Sequence, residues 1–240
     1  MIKIENTEVY GWEATIRGMR NPFNSWDKSH SEFCHRCCEI CEYDFYSCCP
    51  NENGIGCIIG DSDLTLMKSL VKAGSDHSKF MRMINVTCDI TAPLYWWKEF
   101  DTYKVGTVRN SCSTMHKIQA KEFTLNDFSH EHLITTEIDT ENPRLVKAPM
   151  IFTLESVICQ LNYCRLKYLE TSDKIWWWQM IQLLPSSYNQ RATVQLNYAV
   201  LRNMYHARKN HKLDEWRDFC KWVENLPYSE LITMKGGETS

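Results

Sequence analysis

The sequence predicts an α+β protein of 240 residues whose helices gather toward its C-terminus. Three observations carry that class. Between Ile84 and Thr91, apolar and polar residues alternate, which is the period of a half-buried strand. From Thr153 onward, apolar residues recur at helical spacing in one run after another. The composition, 43% hydrophobic and 24% charged, is that of an ordinary globular chain, not of a disordered tail, a collagen-like fibre or a coiled coil. A net charge of −3 gives no global basic field to hold nucleic acid. No apolar run reaches membrane-spanning length, and the first residues carry charges where a secretory leader needs an apolar core. The expectation is a cytoplasmic protein with neither nucleic acid nor membrane as partner.

The elements are expected in the following order. Residues 1–30 are mixed, with Gly11, Gly18 and a turn at Arg20-Asn21-Pro22. Residues 31–60 form a cysteine-rich insertion with its own local order inside a single domain spanning 1–240. Asp61-Ser62-Asp63 starts a helix carrying Leu64, Met67, Leu70 and Val71, and Gly74 stops it. The strand bearing Ile84, Val86, Cys88 and Ile90 follows. Pro93 opens a helix through Leu94 to Phe100, since proline suits a first helical position. Residues 104–113 read as a polar loop, and 119–150 as polar and irregular, with a turn at Asn142-Pro143. Thr153 caps a helix whose apolar face is Leu154, Val157, Ile158, Leu161 and Tyr168. Another helix runs from Ile175 to Ile181 and ends at Leu184-Pro185. The next is expected from about Thr193 to Arg208, and the last carries Leu213, Trp216, Cys220 and Val223.

Seven of the 12 cysteines lie between residues 34 and 57. In a reducing compartment, clustered thiols read as metal ligands more readily than as disulfides. Cys34 and Cys37, and Cys38 and Cys41, have the spacing that lets two thiolates reach one tetrahedral zinc ion. Cys48, Cys49 or Cys57 would complete the site, with His35 or His30 as substitutes. Free thiols and a redox or iron–sulfur role are the alternatives.

Taken in order, several pieces resemble the flavin-dependent thymidylate synthases. In the C-terminal third, Leu184-Pro185 and Tyr188 stand at the family's Leu-Pro and Tyr-Thr turn. Asn197, Leu201, Asn203 and Arg208 keep its Asn-Leu-Arg-Glu-Leu helix in phase, and Glu215-Trp216-Arg217 fill its Glu-Ile-Arg triplet. In the centre, the strand ends at Ala92-Pro93, Glu99 stands at a family Gln, and Thr102-Tyr103-Lys104 stand at an Arg-His-Arg triplet. The loop after it keeps Thr107, Asn110 and Ser113. Departures in this centre are Met115 at the loop Arg and Met83 at an active-site His; in the C-terminal third, Ala199 replaces the Arg of the helix motif. The resemblance covers about residues 61–225.

The resemblance implies a twisted, largely antiparallel sheet with a helix-rich C-terminal half. It also implies a homotetramer with active sites shared between subunits, and reductive methylation of dUMP to dTMP with FAD, NADPH and methylenetetrahydrofolate. By position it assigns the pyrimidine nucleotide to Glu99, Ser113, Arg208 and Arg217, of which Arg217 and Ser113 take part in the chemistry, with Arg109 as the substitute for the missing loop Arg. It assigns the flavin to Tyr103, Lys104, Asn110, Asn197 and Asn203. The alternative is a nucleotide-binding protein on the same scaffold without flavin chemistry.

The residue types suit such a ligand. A nucleotide monophosphate is a dianion with a planar base, and the arginine fork meets phosphate or a uracil carbonyl bidentately. Gly106, Asn110 and the loop hydroxyls have the composition of a phosphate-presenting loop, although ordinary turns share it. Arg109 stands a few residues upstream of the missing loop Arg and is placed to take over a phosphate contact. Trp96-Trp97 and Trp176-Trp177-Trp178 cannot all face one side of a helix, so core and subunit interface both fit them.

Overall fold

The computed structural model describes residues 2–33, 57–136 and 148–235. The chain is α+β with an antiparallel sheet. Strands β1 (Lys3–Tyr10), β4 (Asn85–Pro93), β5 (Val108–Ser111) and β6 (Asn189–Asn197) form a four-stranded sheet in the order β1-β4-β6-β5. A separate two-stranded ribbon pairs β2 (Glu32–Phe33) with β3 (Cys57–Ile58), with Phe33 opposite Cys57. The helices are α1 (Trp12–Arg20), α2 (Asp61–Lys72), α3 (Leu94–Phe100), α4 (Met150–Thr171), α5 (Lys174–Leu183), α6 (Tyr198–Arg208), α7 (Asp214–Glu224) and α8 (Glu230–Thr233).

Strand β4 follows its sequence pattern: Val86, Cys88, Ile90 and Ala92 are buried, and the residues between them are half-exposed. Helices α2 and α3 stand where the spacing predicts, and Pro93 occupies the N-cap of α3. Four expectations need correction. Residues 193–197 are strand, not helix, because β6 alternates Gln190, Ala192, Val194 and Leu196 inward before Asn197 caps α6. The 104–113 loop contains β5, whose positions are mostly exposed, so backbone pairing rather than burial makes it a strand. Helix α4 begins at Met150 with Pro149 as its cap, which leaves Thr153 inside the helix. The mixed N-terminal stretch holds β1 and α1, the latter burying Trp12, Thr15, Ile16 and Met19 at helical spacing.

The described chain divides into two compact units. One comprises 1–3, 91–101 and 111–192. Its core gathers Ile118, Phe123, Phe128, Leu154, Ile158, Leu161, Cys164 and Met180 around the α4–α5 hairpin. Ser172 turns that hairpin in the left-handed region (φ 56°), and Asp173 caps α5 by accepting from the Ile175 amide at 3.0 Å. In the same unit Trp96, Trp97 and Phe100 pack edge to face or tilted at about 5 Å, and the Trp97 indole donates to the Gln190 carbonyl at 2.9 Å.

The other unit comprises 4–90, 102–110 and 193–240. Met67, Val71, Phe80, Met81, Tyr198, Leu201, Met204, Trp216, Phe219, Val223, Leu231 and Ile232 are among its buried side chains. It also holds a closed ionic node. Arg20, 3% exposed, donates to Asp63 at 2.6 Å and to the Ser25 and Lys28 carbonyls and the Ser25 and Ser62 hydroxyls. Asp63 in turn accepts from the hydroxyls of Ser29 and Ser31. This satisfies a buried charge pair on both sides, the condition under which such a pair survives desolvation.

Candidate functional site

Helix α6 and the start of α7 supply the best-organised cluster. Asn197 stands at the α6 N-cap, where its side-chain oxygen accepts from the Val200 amide at 3.0 Å. The amide nitrogen of Asn197 lies against Gly106, whose φ is +79°; a Cβ there would sit 2.9 Å from that nitrogen and 2.9 Å from Val200 Cγ2. Only glycine fits both the left-handed backbone and the close approach. The 102–110 segment is thereby pressed onto the beginning of α6. The Thr107 hydroxyl closes the turn by donating to the Tyr103 carbonyl.

At the other end of α6, Arg208 is held between rings. Its Nε donates to the Tyr103 hydroxyl at 2.9 Å, and its guanidinium carbon lies 5.0 Å from the Trp216 ring centre and 5.7 Å from that of Tyr103. Trp216 is fully buried and also meets His211 edge to face at 6.4 Å. A planar cation on a buried indole is fixed in direction with its charge still partly exposed, the cation–π arrangement.

Arg217 lies in the first turn of α7 and folds back on it. It donates to the carbonyls of His211 at 2.9 Å and Lys212 at 3.1 Å and pairs with the Asp214 carboxylate. This pairing is exposed and therefore weak. Asn203 is exposed on α6, and Lys104 and Asn110 are exposed on the 102–110 segment. Arg109 is half-buried in β5.

Thus Tyr103, Lys104, Arg109, Asn110, Asn197, Asn203, Arg208 and Arg217 all fall in one unit. Within it the structure joins Tyr103 to Arg208, and the 102–110 segment to Asn197. Glu99 and Ser113 belong to the other unit; Glu99 is half-buried on α3, and the Ser113 hydroxyl accepts from the His116 amide at 3.0 Å. Sequence reasoning missed Trp216 as the platform for Arg208 and Gly106 as the contact with Asn197. Trp216 reads as one more apolar residue of a helical stripe, and only its spacing from Arg208 across the α6–α7 turn hinted otherwise.

Cys34, Cys37, Cys38 and Cys41 lie outside the described residues, as do Cys48, Cys49 and His35. Among the described residues no group of three or more His, Cys, Asp or Glu is placed to hold a metal. Cys57 is buried, and burial, with Asp63 and Glu13 adding to it, pushes its thiol up to about 12. It is a neutral core thiol here, not a poised thiolate. Among the described residues no helix is long and apolar enough to cross a membrane.

No protein-family model and no curated protein matches the chain in sequence. Solved structures match it nearly end to end. A flavin-dependent thymidylate synthase from Helicobacter pylori, solved with FAD and dUMP, superposes with a TM-score of 0.62 at 14% identity, covering 96% of this chain and 98% of that one. A UMP/dUMP methylase from Streptomyces cacaoi, solved with 5-Br dUMP, superposes with a TM-score of 0.58 at 15% identity, covering 99% of this chain and 97% of that one. At such identities the likeness is one of fold: the chain has the flavin-dependent thymidylate synthase fold.

Proposed function

We propose that this protein methylates a pyrimidine nucleotide, converting dUMP to dTMP with methylenetetrahydrofolate and NADPH as co-substrates and FAD as cofactor. The observation that carries this reading is the end-to-end likeness to a flavin-dependent thymidylate synthase solved with FAD and dUMP. The likeness to a UMP/dUMP methylase supports the same class of substrate.

The donors on the chain agree in kind with a flavin dinucleotide. Lys104 offers a cation suited to a pyrophosphate, and the Asn110 and Asn203 amides offer donors and acceptors suited to a ring edge; all three are exposed. FAD, when bound, supplies the hydride that completes the methyl group. The residues of the chain bind and orient the substrate. Arg208, held over Trp216, presents a directed cation to an anionic group. Arg217 is assigned to the pyrimidine edge, where a guanidinium favours the ionised ring. It reaches that edge by leaving Asp214 and two carbonyls, a set of exposed contacts worth under about 1 kcal/mol for the ion pair. Ser113, Glu99 and Arg109 complete the proposed substrate set.

The assembly we propose is a homotetramer. Leu166, Leu169, Ile175 and Trp178 are each about half exposed on the α4–α5 hairpin, more apolar surface than one isolated side chain leaves in water. Light scattering showing only monomer would remove this part of the reading.

One observation favours a second reading, a nucleotide-binding protein without flavin chemistry. Tyr103 stands in the triplet position and already spends its hydroxyl on Arg208 and its ring on Trp216. One preparation tests both. A yellow protein that forms dTMP from dUMP, methylenetetrahydrofolate and NADPH supports the enzyme. A colourless protein that binds dUMP but forms no dTMP, even with added FAD, supports the second reading.

A further inference from the structure

Apart from the Arg208 cluster, one cavity of about 240 Å³ is lined by Val71, Gly74, Ser75, Ser78, Met81, Arg82, Ala199 and Arg202, all within the same compact unit. Among the described residues, the lining carries two cations and two hydroxyls and no carboxylate. The two arginines differ in how they are held. Arg202 is half-buried, and one of its terminal nitrogens donates to the α8 carbonyls of Leu231 at 3.2 Å and Ile232 at 3.0 Å. No carboxylate pairs with it among the described residues, and burial pulls its guanidinium below the ordinary value. An unneutralised, partly desolvated cation is costly, and a bound anion relieves that cost. Arg82 is exposed and makes neither a hydrogen bond nor an ion pair among the described residues. Ala199 and Arg202 lie one turn apart on α6, so the small side chain at 199 leaves room beside the guanidinium. The volume falls below the roughly 300–1,000 Å³ of sites that enclose whole drug-sized ligands. It suits an anionic head group better than an entire dinucleotide.

We propose that this cavity is a seat for a phosphate group, with Arg82 and Arg202 as its cations and the hydroxyls of Ser75 and Ser78 as its donors. A tetrahedral dianion matches two guanidinium groups and short hydroxyl donors lining one cavity. The group is either inorganic phosphate or the phosphate of a nucleoside monophosphate. The inference requires no flavin and stands whether or not the methylation reading does.

Calorimetric titration of the full chain with inorganic phosphate, and separately with dUMP, at constant ionic strength, tests it. The test variant is Arg82→Ala, because Arg82 is exposed and has no partner among the described residues, so its removal leaves the described packing intact. Losing one charge-assisted contact weakens phosphate binding by about tenfold to a hundredfold. Arg202→Lys, which keeps the charge but loses the fork, should weaken it less. If dUMP weakens in parallel with phosphate, the cavity holds the nucleotide's own phosphate. If only inorganic phosphate weakens, the cavity is a separate phosphate site. Absence of saturable phosphate binding by the unaltered chain, or an unchanged affinity in Arg82→Ala, overturns the proposal.

Discussion

Arg20 and Arg208 belong to the same compact unit and use the same side chain to opposite ends. Arg20 is sealed: a carboxylate at 2.6 Å, two carbonyls and two hydroxyls take its donors, and 3% of it meets solvent. Arg208 is only half-buried, gives its Nε to a phenol and lays its plane on an indole. A guanidinium closed over by the protein's own oxygens holds structure. One supported on rings is held in place without being sealed from solvent. The distinction sorts the remaining cations too: Arg202 pairs with no carboxylate among the described residues, whereas Arg217 is paired, but on the surface.

The largest effect expected is at the sealed node. Asp63→Ala leaves the Arg20 charge buried without its partner and should cost about 3–5 kcal/mol of stability, with dUMP affinity unchanged in whatever protein stays folded. Denaturant titration measures it, and a loss below about 1 kcal/mol would mean that the node is not sealed in solution. The same node sets the acid limb. Burial alone would raise the Asp63 carboxyl, but hydrogen bonds from Ser31, Arg20 and Ser29 and the Arg20 charge hold it below its ordinary value. Its stabilisation is therefore fully present above the unfolded carboxylate value of about 3.9 and is lost as pH falls through the lower folded value. A stability profile with no decline at acid pH would contradict that assignment.

A smaller effect is expected where the 102–110 segment meets α6. Gly106→Ala places a Cβ 2.9 Å from Asn197 and Val200 and forces a left-handed backbone, about 1–3 kcal/mol in all. The signature that separates this from a general loss of stability is local: amide exchange should rise in 102–110 and the first turn of α6 before elsewhere. Uniform loosening would show that the contact does not position the segment.

The smallest stability effect is expected at Arg217. Arg217→Ala removes an exposed pair with Asp214, so folding changes by under about 1 kcal/mol. If the guanidinium serves the pyrimidine edge, dUMP affinity falls about tenfold to a hundredfold by calorimetry. Unchanged affinity would place Arg217 with the surface cations instead.

Legibility in the sequence followed the same division between what is buried and what is exposed. Strand β4 and helices α2 and α3 were readable because burial imposes a period on apolar residues, as in Val86, Cys88 and Ile90. Strand β5 was not, since Val108 stays 63% exposed and only main-chain pairing defines the element. Strand β6 runs into α6 in the sequence pattern because Asn197 ends one element and caps the next with no glycine or proline between them. At the candidate site, the motif from Asn197 to Arg217 gave the residues but not their support. Nothing in the pattern distinguishes an indole that carries a cation, Trp216, from one that only fills the core. Arg82 and Arg202 form no motif because they come from distant segments and line one cavity only in the folded chain.

The small ribbon of β2 and β3 has a consequence for how this chain tolerates change. Phe33 faces Cys57 across an antiparallel pair, so the two ends of the intervening sequence are held side by side. The entropy of closing a loop grows only with the logarithm of its length, about 0.6 kcal/mol per doubling. In loop-closure entropy alone, a paired doorway of this kind lets the sequence between its posts lengthen or shorten at little cost. The paired positions Phe33 and Cys57 are where evolution, or an engineer, would anchor a change of length.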